Sequence, residues 1–215
     1  MDGVMQVINL VLNQYRKFDQ IIKRFRKATG LSCPLGCSYC CHKWPVEATV
    51  LEVLPLAREI YRRGMEQEIM GLIEQRRAEN NDTCVFLLPQ EHARANGACS
   101  FYNWRPLMCR LFGFATRRNK RGDPELCSCK IIKKTDPASI KRAHMALRQG
   151  LTLPIYQDAF FTVASLDPAR GYRRFPINLA IKEALEYLYW ASPGGETYSN
   201  ARAKRSLGTG GQWPS

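Results

Sequence analysis

Apolar positions recur at spacings of three and four over residues 4–27, where Val4, Ile8, Val11, Tyr15, Phe18, Ile22 and Phe25 share one helical face. The pattern predicts an amphipathic helix whose stripe packs on a core rather than on a membrane surface. Lys23, Arg24, Arg26 and Lys27 cluster near its end, where cations suit the helix dipole, and Gly30 breaks the periodicity. Thr49-Val50-Leu51-Glu52 has the form of a capping box, which marks a helix start. It predicts a helix to Tyr61, shortened or kinked by Pro55. A second helix is predicted over 65–78, after Gly64. Asp136 and Pro137 suit the cap and first position of a helix reaching Gln149. Ile177, Ala180, Ile181, Leu185, Leu188 and Tyr189 predict a last helix over about 177–190.

Two stretches carry no clear period. Residues 82–134 read as irregular, and a segment that long does not stay ordered on its own contacts. Residues 193–215 turn to Gly, Ser, Thr and Arg after Pro193 and read as a flexible tail. No internal repeat is present.

A chain of 215 residues can bury a core, and its 45% hydrophobic content is that of a folding sequence. The formal net charge of +13 is high for this size. Such a surface attracts nucleic acid, an acidic protein or an anionic membrane. Arg117, Arg118, Lys120, Arg121, Lys130, Lys133 and Lys134 form the densest basic run. The first residues lack the charged, apolar and small-residue regions of a signal peptide, and no stretch of 18 uncharged apolar residues suggests a transmembrane helix. The expectation is a cytoplasmic protein, whose thiols stay reduced.

That compartment changes the meaning of nine cysteines. Clustered thiols there read as metal ligands before disulfides, and an odd count argues against a complete disulfide framework. Cys33-Pro-Leu-Gly-Cys37-Ser-Tyr-Cys40-Cys41 places four of them in nine positions. Thiolates two or three residues apart can wrap one ion when a turn brings the sulfurs together, and Pro34 and Gly36 favour that turn. The adjacent pair Cys40 and Cys41 suits two metals or two corners of a cluster. Cys84, Cys99, Cys109, Cys127 and Cys129 are spread through the irregular region. His42 follows the first cluster and is a lesser candidate; His92 and His144 are weaker. Tyr39 and Trp44 suit a cover that keeps water out.

Cys33-x3-Cys37-x2-Cys40-Cys41, Cys84-x-Phe-Leu, and Cys99-Ser-Phe-Tyr-x-x-Arg105-Pro-x-x-Cys109-Arg110 together resemble the YkgJ-type cysteine-cluster family, described as chelating zinc or iron. The resemblance spans about residues 30–130 and leaves out the flanking helices. It implies a metal-binding role with zinc or an iron centre, including an iron–sulfur cluster, and names no reaction. With the clustering, it makes candidate ligands of Cys33, Cys37, Cys40, Cys41, Cys84, Cys99 and Cys109, with one or both of Cys127 and Cys129. Arg105 and Arg110 would then offset the negative charge of a thiolate site and contact its sulfurs. The fold expected is mainly α, with helices flanking an irregular core organised by metal: one domain over 1–192 and a tail over 193–215.

Other readings have partial support. A nucleic-acid-binding module with a metal-braced basic surface is physically plausible, although no recognition helix or regular finger spacing is evident. An iron–sulfur enzyme, redox or methyl-transferring, is the third. Cys33-x3-Cys37-x-Tyr39-Cys40 has the loop spacing of radical S-adenosylmethionine enzymes, and Gly194-Gly195-Glu196 has the form of their methionine-contacting motif. That motif comes too late in the chain, and neither alternating strands and helices nor a glycine-rich cofactor loop follow the cysteines.

Overall fold

The first apolar stripe becomes α1 (Asp2–Thr29), which buries Ile8, Val11, Tyr15, Ile22 and Phe25. The computed structural model describes residues 2–43, 46–89 and 98–191. The expected tail, Gly194 to Glu196, His92 and Trp44 lie outside the described residues. At the end of α1 the Thr29 hydroxyl donates to the Phe25 carbonyl, and Thr29 Oγ1 accepts from Leu31 N–H at 3.2 Å.

After a short α2 (Tyr39–Lys43) and β1 (Glu47–Thr49), the capping box opens α3 (Val50–Arg63) as predicted, with Thr49 Oγ1 accepting from Glu52 N–H at 3.1 Å. The helix runs through Pro55 and two residues past Tyr61. A proline inside a helix costs about 3 kcal/mol. Burial of Leu51, Val53, Leu54, Leu56, Ala57 and Ile60 along nearly the whole of α3 offsets it, at roughly 1.5–3 kcal/mol for each large side chain. Gly64 ends α3, and α4 (Glu66–Ala78) follows as expected.

The stretch 82–134 holds more regular structure than its pattern suggested. It contains a 3-10 turn (Tyr102–Trp104), α5 (Leu107–Leu111), an antiparallel hairpin of β2 (Ala115–Arg118) and β3 (Pro124–Cys127), and most of α6 (Lys130–Thr135). These pieces run three to six residues, too short for a period to be counted. Asp136 then caps α7 (Pro137–Arg148), its carboxylate accepting from Ser139 N–H at 2.9 Å. Two helices without a predicted counterpart, α8 (Tyr156–Ala164) and α9 (Pro168–Gly171), lead to β4 (Arg174–Pro176) and α10 (Ile177–Ala191).

The architecture is mainly helical. α3 and α10 form the central pair, α1 lies on α3 and α7, and β4 pairs antiparallel with β1 in the register Ala48 to Phe175. One buried cluster runs from Ile8 on α1 to Leu188 on α10. Among the described residues, no helix is long and apolar enough to cross a membrane.

Candidate metal centre

Four separate segments bring cysteines to one cavity. It is lined by Cys33, Cys37, Cys40, Cys41, Cys84, Cys99, Cys109 and Cys129. The first four arrive on a tight path after the buried Leu31. Cys37 N–H donates to the Pro34 carbonyl, and Gly36 takes a φ of 65°, a left-handed conformation that a side chain would strain. The chain then enters α2, whose adjacent Cys40 and Cys41 sulfurs lie 3.9 Å apart. Two neighbouring thiols can thus serve one small volume.

Cys84 is held by α10. Val85 N–H donates to Asn178 Oδ1 at 3.0 Å, and Asn178 Nδ2 donates to the Thr83 carbonyl at 2.9 Å. Cys99 is bridged to the same strip, paired with Leu87 and supported by Ser100 N–H to the Phe86 carbonyl. The Phe86 and Phe101 rings stack beneath at 4.6 Å between centroids. Cys109 sits on α5. Cys129 is the N-cap of α6, where its sulfur accepts from Ile131 N–H at 3.4 Å, a contact that suits a thiolate ligand. Gly113, with φ of 80°, turns the chain beside it, and a Cβ there would sit 3.6 Å from that of Cys129.

Cys127 is not among the lining residues. It lies on β3, its thiol directed to the Glu125 carbonyl at 3.8 Å. The structure therefore brings together eight of the nine candidate cysteines and separates the ninth. His42 and His144 are exposed, and Tyr39 is half-buried against the core.

The two arginines of the central motif part company. Arg105 lines the cavity; its guanidinium stacks 3.5 Å from the Tyr102 ring centroid, and Nε donates to the Tyr102 carbonyl. Arg110 is buried on the other side of α5. It pairs with Asp19, donates to the carbonyls of Asn103 and Arg105, and stacks on Tyr15. Its contacts brace α5 from beneath rather than touch sulfur. In its place a residue read only as part of a basic helix end, Arg26, reaches the cavity from α1 and stacks on Phe114. Of the expected basic run, Arg117 pairs with Glu125 and Arg118 with Asp158.

Glu52 has a second function beyond the cap of α3. The backbone N–H groups of Leu107 and Met108, in the first turn of the helix bearing Cys109, act on its carboxylate and favour its charged form. Burial pushes this carboxyl up to about 7, against the pull of Arg174 and these N–H groups. Its place three residues after Thr49 pointed to the cap; nothing in the pattern pointed to α5. Asn178, a polar residue within an otherwise apolar helical stripe, was the one visible sign of the Cys84 support.

Electrostatics describe how the thiols neighbour one another. Burial raises Cys33 to about 11, with Cys37, Cys40 and Cys129 adding to the rise and Arg26 opposing it. Burial raises Cys84 to about 12, with Cys99 adding. Cys109 is raised by burial and by Cys84, Cys99 and Cys40, with Arg105 opposing. Cys40 is raised first by its hydrogen bond to Cys41 and then by burial. Two groups emerge, one around Cys33 and one around Cys109, with Cys40 between them.

Among the described residues, no three His, Cys, Asp or Glu side chains are already gathered as a ligand set. The convergence on one cavity carries more weight than that spacing, because a single χ1 rotation re-aims a cysteine sulfur. The donor set fits a thiophilic ion: eight sulfurs line the cavity, with neither histidine nor carboxylate. The cavity measures about 130 Å³, below the ~300 Å³ at which pockets for organic ligands begin.

A family model, CxxCxxCC, described as a "putative zinc- or iron-chelating domain", matches residues 32–139, half of the chain. No curated protein and no solved structure matches it.

Proposed function

Because the chain belongs to the CxxCxxCC family, we propose that its eight converging thiols are the ligands of two four-sulfur metal centres holding zinc or iron. One observation carries this reading: segments up to 96 residues apart in sequence, from Cys33 to Cys129, deliver thiols to a single small cavity. Cys33, Cys37 and Cys129 belong with one centre and Cys84, Cys99 and Cys109 with the other, with Cys40 and Cys41 between. Arg26 and Arg105 offset the negative charge of the thiolates from opposite elements, α1 and the turn before α5.

Bound ions would cross-link the segments that carry the thiols, so metal binding contributes folding free energy directly. The function is chelation that organises 32–139. The small cavity volume favours ions over an organic substrate.

The test is the metal content of protein purified without oxygen, together with its visible spectrum. Absorption in the blue identifies iron–sulfur clusters; a colourless protein with about two zinc ions per chain identifies tetrahedral zinc. Cys109→Ser should lose at least about half of the metal, and Cys127→Ser should keep all of it. Full retention in Cys109→Ser would refute the ligand set.

A further inference from the structure

The positive charge of this protein is unevenly placed. The second half of α1 carries six cations between residues 16 and 27, α6 adds Lys130, Lys133 and Lys134, and α7 adds Lys141, Arg142 and Arg148. These three helices adjoin: α7 packs on both α1 and α6, and Arg142 Nε donates to the Thr29 carbonyl at the end of α1. All twelve cations are exposed, and none has an ion-pair partner among the described residues. Acidic groups here are few and occupied. Asp19 pairs with Arg110, and Asp136 caps α7. By contrast, Arg117 and Arg118 of the basic hairpin are neutralised, the first by Glu125 within the hairpin and the second by Asp158 on α8.

We propose that this face of α1, α6 and α7 binds the phosphodiester backbone of a nucleic acid without reading its sequence. A protein partner would be expected to need apolar or aromatic anchors at the centre of its interface. Among the large exposed hydrophobic side chains of the described residues, only Met145 stands between these cations; the aromatic ones, Phe161, Tyr172, Tyr189 and Trp190, lie on α8, after α9 and on α10. A membrane surface is disfavoured because the apolar stripe of α1 is already spent on the core. Phosphates need only charge and N–H donors. Residues 16–29 span about 20 Å of helix at 1.5 Å per residue, a length over which a duplex presents about a dozen phosphates. One face can reach about half of these.

The metal reading and this one are separable. α6 starts at Cys129 and Arg26 lines the thiol cavity, so the two sites share a border. Apart from Arg26, the face is made of charges outside the cavity.

The experiment follows a fluorescent duplex of about 30 base pairs by anisotropy with the full chain as purified, metal content being measured on the same sample. About six phosphate contacts predict a loss of affinity of about 1,000-fold between 50 and 200 mM salt. Single-stranded DNA and duplex RNA run alongside, and preference for any of these polymers supports the proposal. Lys133→Gln, Lys134→Gln and Lys141→Gln together should lower the salt slope by about three. Arg117→Gln, Arg118→Gln and Lys120→Gln remove the same charge from the hairpin and should leave the slope unchanged. Equal losses in the two triple variants would mean that net charge alone acts, and would overturn a localised face. So would salt-insensitive binding, the absence of binding at 50 mM salt, or tighter binding of polyglutamate than of duplex at equal ionic strength. Intact metal content in a sample that fails to bind would sink this proposal and leave the metal reading standing.

Discussion

Replacing Glu52 by glutamine should flatten the dependence of stability on pH. The carboxyl is sealed between α3 and the first turn of α5, and its folded-state pKa stands at about 7 against an ordinary 4.5. Between those values the folded chain keeps a proton that the unfolded chain has released. Stability therefore falls as pH rises, by about 1.4 kcal/mol per unit. The contribution is fully present below pH 4.5 and lost once pH passes about 7. Over the whole window it amounts to about 3 kcal/mol, a large share of the ~5–15 kcal/mol that holds a typical domain. Glutamine has no proton to lose, and its carbonyl oxygen can still face the N–H groups of α5. Urea unfolding of parent and Glu52→Gln at half-unit steps from pH 4.5 to 8 reads the difference directly. The variant should gain about 3 kcal/mol on the parent across that range. Parallel curves would show that the carboxylate is not desolvated as its position beneath α5 implies.

Two further outcomes test the centre from other sides. Asn178→Ala removes both hydrogen bonds that hold Thr83 and Val85; it should cost about 1–3 kcal/mol and speed metal loss to a chelator, and a variant matching the parent in both would dismiss the clamp. Cys33 and Cys84, raised to about 11 and 12, are protonated at neutral pH, so loading each four-thiolate centre at pH 7 should release about four protons. Calorimetry in buffers of different ionisation enthalpy counts them, and release of less than about one proton per ion would remove the thiols as ligands.

The long elements were legible because they carry many turns. The stripe of α1, the capping box of α3, the Asp136–Pro137 start of α7 and the apolar face of α10 all stand where the periodicity placed them. The short pieces that hold the thiols were not. A five-residue helix such as α5 shows barely more than one turn, and the β1–β4 pairing joins residues over 120 positions apart. The spacing of Cys33 to Cys41 pointed to one site, but nothing local could divide Cys127 from Cys129. That choice is made by the β2–β3 hairpin, which sends one thiol outward along a strand and the next into the cap of α6. Arg105 and Arg110 likewise share a motif and face opposite ways, because Arg105 stands in the turn before α5 while Arg110 lies on the buried side of that helix. The charge of the chain was visible, yet its location was not: Arg117 and Arg118 find carboxylates, while Lys130, Lys133 and Lys134 on α6 have none among the described residues.

The Asn178 clamp bears on what was inherited and what must fold together. Kinship with the cysteine-cluster family stops at residue 139, but the amide that fastens the Cys84 strip stands 39 residues further on. β4, the partner of the strand leading into α3, also lies beyond that limit, as does α10, against which α3 is buried. A fragment trimmed to the shared region would keep every thiol and forfeit the wall behind them. The heritable motif is thus a passenger on a larger scaffold, and chains bearing the same cysteines on different C-terminal helices would hold the same ligands with a different grip.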